Sequence, residues 1–197
     1  MKIYWIISSL LIACTLNSCG PRSQASEQED ITEKSAWESE AIQSFYDHLQ
    51  SLCNQSFAGE QIFIEEGRES WADRTMIMQV SVCEKDMLHI PFHMDEDHSR
   101  TWIFLNENGR LRFRHDHRHE DGTPEEITLY GGYADPKRAT PLYQVFPADE
   151  YTINLIPRAV ESEWVVELNT EKTVFSYQLH HEGRLIFQAD FDLTNPL

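Results

Sequence analysis

Positive charge is scarce in this chain: 16 Lys and Arg stand against 33 Asp and Glu in 197 residues, a formal net charge of -17 at pH 7. Such a surface repels nucleic acid and anionic lipid head groups, so no nucleic-acid partner is expected. After the N-terminal apolar run no second one follows, which removes a membrane-spanning helix from the body of the chain. No repeat with a period of about 20 to 50 residues is visible, so propellers and solenoids are excluded. Several catalytic signatures are missing as well: a Gly-x-Ser-x-Gly elbow, a Gly-rich phosphate loop and a His-Glu-x-x-His helix. What remains, 41% hydrophobic and 11% aromatic, suffices for one globular domain with appendages.

The N-terminus carries an address. One basic residue, Lys2, precedes an apolar stretch of signal-peptide length that is too short to span a bilayer. The stretch ends Leu16-Asn17-Ser18-Cys19-Gly20, which resembles the lipobox of bacterial lipoproteins. The resemblance implies that residues 1–18 are a signal peptide and that Cys19 is the lipidation site, diacylated on sulfur (palmitate among its chains) and acylated on its freed amine. It further implies a partner, the membrane, and a place in the bacterial cell envelope, at the outer membrane on its periplasmic or surface side. Several acyl chains at about 0.8 kcal/mol per buried methylene hold a protein on a membrane without a spanning helix.

From Cys19 to Ser39 the chain is rich in Ser, Glu and Gln and poor in apolar residues. This composition reads as a flexible acidic tether over residues 19–39, leaving 40–197 as the folded domain. Of four Cys, Cys14 leaves with the signal and Cys19 is lipidated, so Cys53 and Cys83 remain. Outside the cytosol such a pair is expected to form a disulfide; two buried thiols acting as small apolar side chains are the alternative.

The domain opens with one helical pattern. Ala41, Ile42, Phe45, Leu49 and Leu52 recur at three- and four-residue spacing, predicting an amphipathic helix over 41–52. The period then changes to two. Strands are predicted at 61–65, 76–83, 87–92, 101–105, 111–117, 126–130, 142–146, 152–156, 164–168, 173–179 and 185–191, although Tyr151, Leu155 and Ile156 also suit a helical turn. Asn106-Glu107-Asn108-Gly109 and His181-Glu182-Gly183 sit where tight hairpins need positive φ. A helix followed by a long antiparallel meander points to an all-β fold, an up-and-down, lipocalin-like barrel, because closure removes exposed edges.

The richest chemistry lies in Leu111-Arg112-Phe113-Arg114-His115-Asp116-His117-Arg118-His119-Glu120-Asp121-Gly122. On a strand Leu111, Phe113, His115, His117 and His119 share one face, so an apolar line turns into imidazoles towards one barrel end. That is where barrels open to ligands. His115, His117, His119 and Asp121 are the candidate ligand-binding residues. Two same-face histidines can also ligate Zn²⁺, so His115, His117 and His119 are a candidate metal set, with His89, His93, His98 or Asp121 as further ligands. A polar strand end bonded to backbone and carboxylates is the plainer account of the same cluster. Arg112, Arg114 and Arg118, on the other face, are expected to neutralise acidic neighbours.

A set of motifs adds a resemblance. Ser99-Arg100-Thr101-Trp102, His115-Asp116-His117-Arg118-His119-Glu120-Asp121-Gly122-Thr123, Tyr130-Gly131-Gly132, Phe146-Pro147-Ala148-Asp149 and Phe191-Asp192-Leu193-Thr194 are similar to those of an uncharacterised family of exported bacterial proteins. The resemblance spans residue 45 to the C-terminus and implies export without a catalytic assignment. Read physically, Gly131-Gly132 permits a bulge or sharp bend, Pro147 ends a strand, and Asp149 caps the turn that follows.

Together these features predict an exported, lipid-anchored barrel that binds a small molecule at a His-lined mouth. The first alternative is a metal-binding or metal-dependent hydrolytic barrel using the 115–119 histidines, in which His117 with Asp116 or Asp121 forms an acid/base pair. The second is an envelope interaction module docking through its helix. The missing motifs weigh against an enzyme.

Overall fold

The computed structural model describes residues 37–68 and 74–197. The signal peptide expected over 1–18, Cys19 and the tether expected from 19 lie, as far as residue 36, outside the described residues. Helix α1 (Glu40–Ser51) buries Ile42, Phe45, Tyr46 and Leu49, the apolar stripe read from its spacing. Strand β1 (Ser56–Ile64) follows, then β2 (Met76–Gln79), β3 (Val82–Glu84), β4 (Met87–Met94), β5 (Asp97–Glu107), β6 (Arg110–His117) and β7 (Tyr130–Tyr133). After β8 (Tyr143–Pro147) come helix α2 (Glu150–Leu155), a 3₁₀ turn at Pro157–Ala159, β9 (Ser162–Leu168), β10 (Val174–His181) and β11 (Arg184–Asp192).

The sheet order is β7-β6-β5-β4-β2-β1-β11-β10-β9-β8, with β3 paired to β4 beside this path, and every pairing is antiparallel. Apart from the β2–β3 break and the β7–β8 seam, sequence neighbours are sheet neighbours, and the first strand joins the last. The result is an up-and-down barrel, nearly closed, with its seam between β7 and β8. The seam is bridged at Gly131: the Asp149 amide donates to the Gly131 carbonyl at 3.0 Å, and Thr152 Oγ1 bonds both the Gly131 amide and carbonyl at 2.7 Å. Gly131-Gly132 therefore serves close approach. A Cβ on Gly132 would lie 1.8 Å from the Pro147 carbonyl oxygen, and one on Gly131 would lie 2.1 Å from that of Phe113.

Alternate residues of each strand fill the interior. Leu88, Ile90, Trp102, Phe104, Leu111, Phe113, Phe146, Trp164, Phe175, Phe187 and Phe191 form one core with the buried face of α1. Helix α1 stops one end of the barrel: Tyr46 and Gln50 donate to the Glu84 carbonyl at the turn into β4, and the Glu38 amide donates to the Gly109 carbonyl at the turn into β6. Trp37 packs on Tyr46 at 5.0 Å, so the packed domain includes residues placed in the tether by composition. Cys53 and Cys83 are disulfide-bonded, tying the end of α1 to β3.

Four sequence expectations are corrected in detail. The single strand read over 76–83 breaks into β2 and β3 because the Val80 amide donates to Gln55 and the Ser81 amide to His89. The strand read over 152–156 is α2, since Asp149 accepts the Thr152 amide at 3.0 Å as an N-cap. The segment 126–129 is irregular, because Leu129 turns through a positive φ of 56° just before β7 begins. Strand β1 starts at Ser56 rather than Gln61.

Candidate functional site

At the barrel end opposite α1, the inward faces of β4, β5, β6, β7, β10 and β11 enclose a recess of about 90 Å³. Its wall is aromatic: Trp102 stacks between Phe92 and Tyr177, each 4.6 Å away between ring centroids. Its polar groups are Arg100, His115, His117, Tyr130 and Tyr177. Register explains their meeting, since β5 and β6 pair Arg100 with His117 and Trp102 with His115, and β6 and β7 pair His115 with Tyr130.

His115 is buried, and both ring nitrogens are engaged. Nδ1 lies 3.2 Å from the Tyr130 carbonyl, which can only accept, so Nδ1 carries the hydrogen. Nε2 is therefore the acceptor, taking the Tyr177 hydroxyl hydrogen at 2.9 Å. Burial, reinforced by nearby His117 and opposed by the bond to Tyr130, drives the His115 pKa down to about 3. It is a fixed, neutral imidazole.

His117 is less enclosed; its Nε2 lies 3.0 Å from the Tyr130 hydroxyl, and its Nδ1 4.0 Å from Glu125. Desolvation first, then the Arg100 charge, lowers its pKa, while Glu125, Asp116 and Asp97 oppose the shift. Burial pushes Tyr130 up to about 12 and Tyr177 well above the ordinary tyrosine value, so both hydroxyls keep their protons. Arg100 donates through Nη1 to Asp97 at the rim, and Asp97 is held far below the usual carboxylate range by Ser99 and Arg100 against the opposing cost of burial.

The predicted site residues thus divide. His115 and His117 line the recess as the strand alternation implied. His119 does not join them: β6 ends at His117, Arg118 bridges to Pro124, and His119 faces an outer rim groove of about 1020 Å³ with His98, Glu120 and Glu125. Asp121 is exposed and caps its own turn, accepting the Thr123 amide at 2.9 Å and its hydroxyl at 2.6 Å. The metal set is not assembled. Among the described residues no group of three or more His, Cys, Asp or Glu is arranged to hold an ion, and the nitrogens of His115 are already occupied. Of the further ligands considered, His93 and His98 stack face to face at 4.0 Å, and His89 sits outward on β4 opposite Val82.

The chain matches no protein-family model, no curated protein and no solved structure.

Arg100, Tyr130 and Tyr177 were not among the predicted site residues. Their partners lie across strands, up to 62 positions apart for His115 and Tyr177, and no local pattern marks them. The inward alternation Arg100, Trp102, Phe104 on β5 was the one available signal for Arg100.

The opposite face of β6 does neutralise acids. Arg112 pairs with Glu107 at 2.9 Å and with Asp149 at 3.6 Å, Arg114 with Asp149, and Arg118 with Asp116 at 2.7 Å. Asp149 thus caps α2, bridges the seam through its amide and holds a buried guanidinium.

Proposed function

We propose that this protein is an exported lipoprotein, anchored through Cys19 to a bacterial envelope membrane, whose barrel binds a small molecule by one end at its mouth. The observation that carries the reading is the recess itself: a formed concavity with aromatic walls and convergent polar groups, the pattern of ligand sites in general. Its size shapes the claim. About 90 Å³ holds roughly three waters' worth of material, far below the 300 Å³ or more of a site that engulfs a drug-sized molecule. The aromatic core beneath fills the rest of the barrel, so the bound group enters only part-way and the remainder of the ligand rests on the rim.

The test is protein-observed NMR on the full chain in detergent with a panel of small probes: propionate, propionamide, phenol and propylammonium. Binding by at least one probe is expected to shift the Trp102 indole and the His117 ring while leaving Trp37, which packs on Tyr46 at the far end of the barrel, unmoved. Shifts confined to the rim groove, or none at all, contradict the reading. Anchoring is tested separately: Cys19→Ser is expected to move the protein from the membrane fraction to the soluble fraction, and persistence on the membrane contradicts it.

A second reading, an envelope interaction module, draws on a specific feature. Ile127, Leu129 and Tyr151 are exposed near the mouth, where the Tyr151 hydroxyl donates to the Thr128 carbonyl. A partner covering that rim would protect these three from hydrogen exchange or labelling without moving the Trp102 resonance.

A further inference from the structure

Of the described residues lining the recess, Arg100 alone bears a permanent charge. It points inward on β5, flanked in register by Phe92 on β4 and His117 on β6. Its side chain is 24% exposed and makes an ion pair through Nη1 to Asp97, the first residue of β5, which lies outside the recess. A guanidinium offers five N–H donors in a planar fork that matches a carboxylate. Asp97 already shows that this guanidinium takes one.

The neighbours inside the recess supply no competing anion. His115 is neutral with both nitrogens engaged, Tyr177 gives its hydrogen to His115, and Tyr130 shares its hydroxyl with His117. Trp102, Phe92 and Phe187 exclude water from one side, and an ionic contact strengthens as the surrounding dielectric falls. A cationic end would meet Arg100 directly. A wholly apolar end would leave the guanidinium and the Tyr130–His117 pair facing a dry group.

We propose that the end of the ligand buried in the recess is a short carboxylate, of about propionate size, gripped by Arg100 from the inside while Asp97 holds the same guanidinium from the rim. Arg100 is then the specificity determinant, and Asp97 a rival carboxylate for its donors. The inference rests on the recess being the binding site, and its test separates the two.

The full chain in detergent is titrated with propionate and with propionamide, its uncharged near-isostere, following the Trp102 indole resonance. Propionate is expected to bind about tenfold or more tightly than propionamide, the scale of a charge-assisted contact over a neutral one. Arg100→Gln is expected to bring the ratio close to one, and Arg100→Lys to retain part of it. Should the Arg100 variants not fold, Asp97→Asn decides: freeing Arg100 from its rim carboxylate is expected to tighten propionate several-fold, and unchanged or weaker binding overturns the proposal. If propionamide equals propionate in the unmodified protein while Trp102 still shifts, the carboxylate assignment fails and the recess stands. If neither probe nor any other moves Trp102, the recess reading falls and takes this one with it.

Discussion

The Tyr177 hydroxyl donates to His115 Nε2 at 2.9 Å, the tautomer of this buried ring being fixed by the Tyr130 carbonyl that accepts from Nδ1. Tyr177→Phe keeps the ring that stacks on Trp102 but leaves a buried acceptor unpaired. The expected cost is about 1–3 kcal/mol, read as a lower urea midpoint at unchanged slope. No loss would mean that water or a rotated His115 replaces the bond.

The same ring sets an acid dependence. An unfolded imidazole takes its proton near its ordinary value, whereas folded His115 refuses it until about 3. Between these limits the unfolded chain binds more protons, so stability falls as pH falls, by about 1.4 kcal/mol per pH unit for one such group. His117, also lowered by burial, adds in the same direction. Asp97 is held low, so its own contribution is lost only as pH falls below the ordinary carboxylate value, beneath the pH 6.5 to 4.5 range in which the histidines act. Denaturation midpoints between pH 6.5 and 4.5 are expected to decline, and His115→Gln is expected to flatten that decline. A flat profile in the unmodified protein would contradict burial of a neutral His115.

At the seam, Asp149 is expected to outweigh any other single carboxylate. Asp149→Asn keeps an oxygen for the Thr152 amide but strips the partner from Arg114, whose side chain is 4% exposed. An uncompensated buried charge costs about 3–5 kcal/mol. Asp149→Ala is expected to lose about 1 kcal/mol more with the cap. Equal losses for the two variants would show that the cap contributes nothing.

Gly132→Ala tests the closure itself. A Cβ there would sit 1.8 Å from the Pro147 carbonyl oxygen, too close for any rotamer to relieve, so β7 and β8 must part. Hydrogen exchange is expected to rise at the Asp149 and Gly131 amides, which lie across the seam, while amides of the β10–β11 ladder stay protected. Exchange unchanged at the seam would contradict the tight approach.

Much of this architecture was legible because it is written locally. The inward line Leu111, Phe113, His115, His117 followed from alternation, α1 from its apolar stripe, and the β5–β6 hairpin from Asn108-Gly109, whose φ values are 57° and 87°. The Cys53–Cys83 pair followed from counting. The rest depended on contacts between distant residues. The strand's end at His117 was read from the sequence, but alternation could not show that His119 leaves the inward face, because the chain beyond that end is turned by Thr128, whose Oγ1 accepts the His117 amide at 2.7 Å and donates to Asp116 at 3.1 Å. Nor could it choose helix over strand for residues 150–155, where a single Asp149 cap decides between two apolar spacings that fit equally. The recess was half legible: its histidines lie in one motif, while Arg100, Tyr130 and Tyr177 arrive from three other strands.

A crystal of the full chain soaked in propionate shows whether the mouth recess binds one end of a small molecule. Density is expected for the carboxylate beside Arg100, its alkyl tail against Trp102, and the tail's far end pointing out past His117. Density for water alone in the recess, with propionate absent or lodged only on the outer rim near His98 and His119, would contradict it.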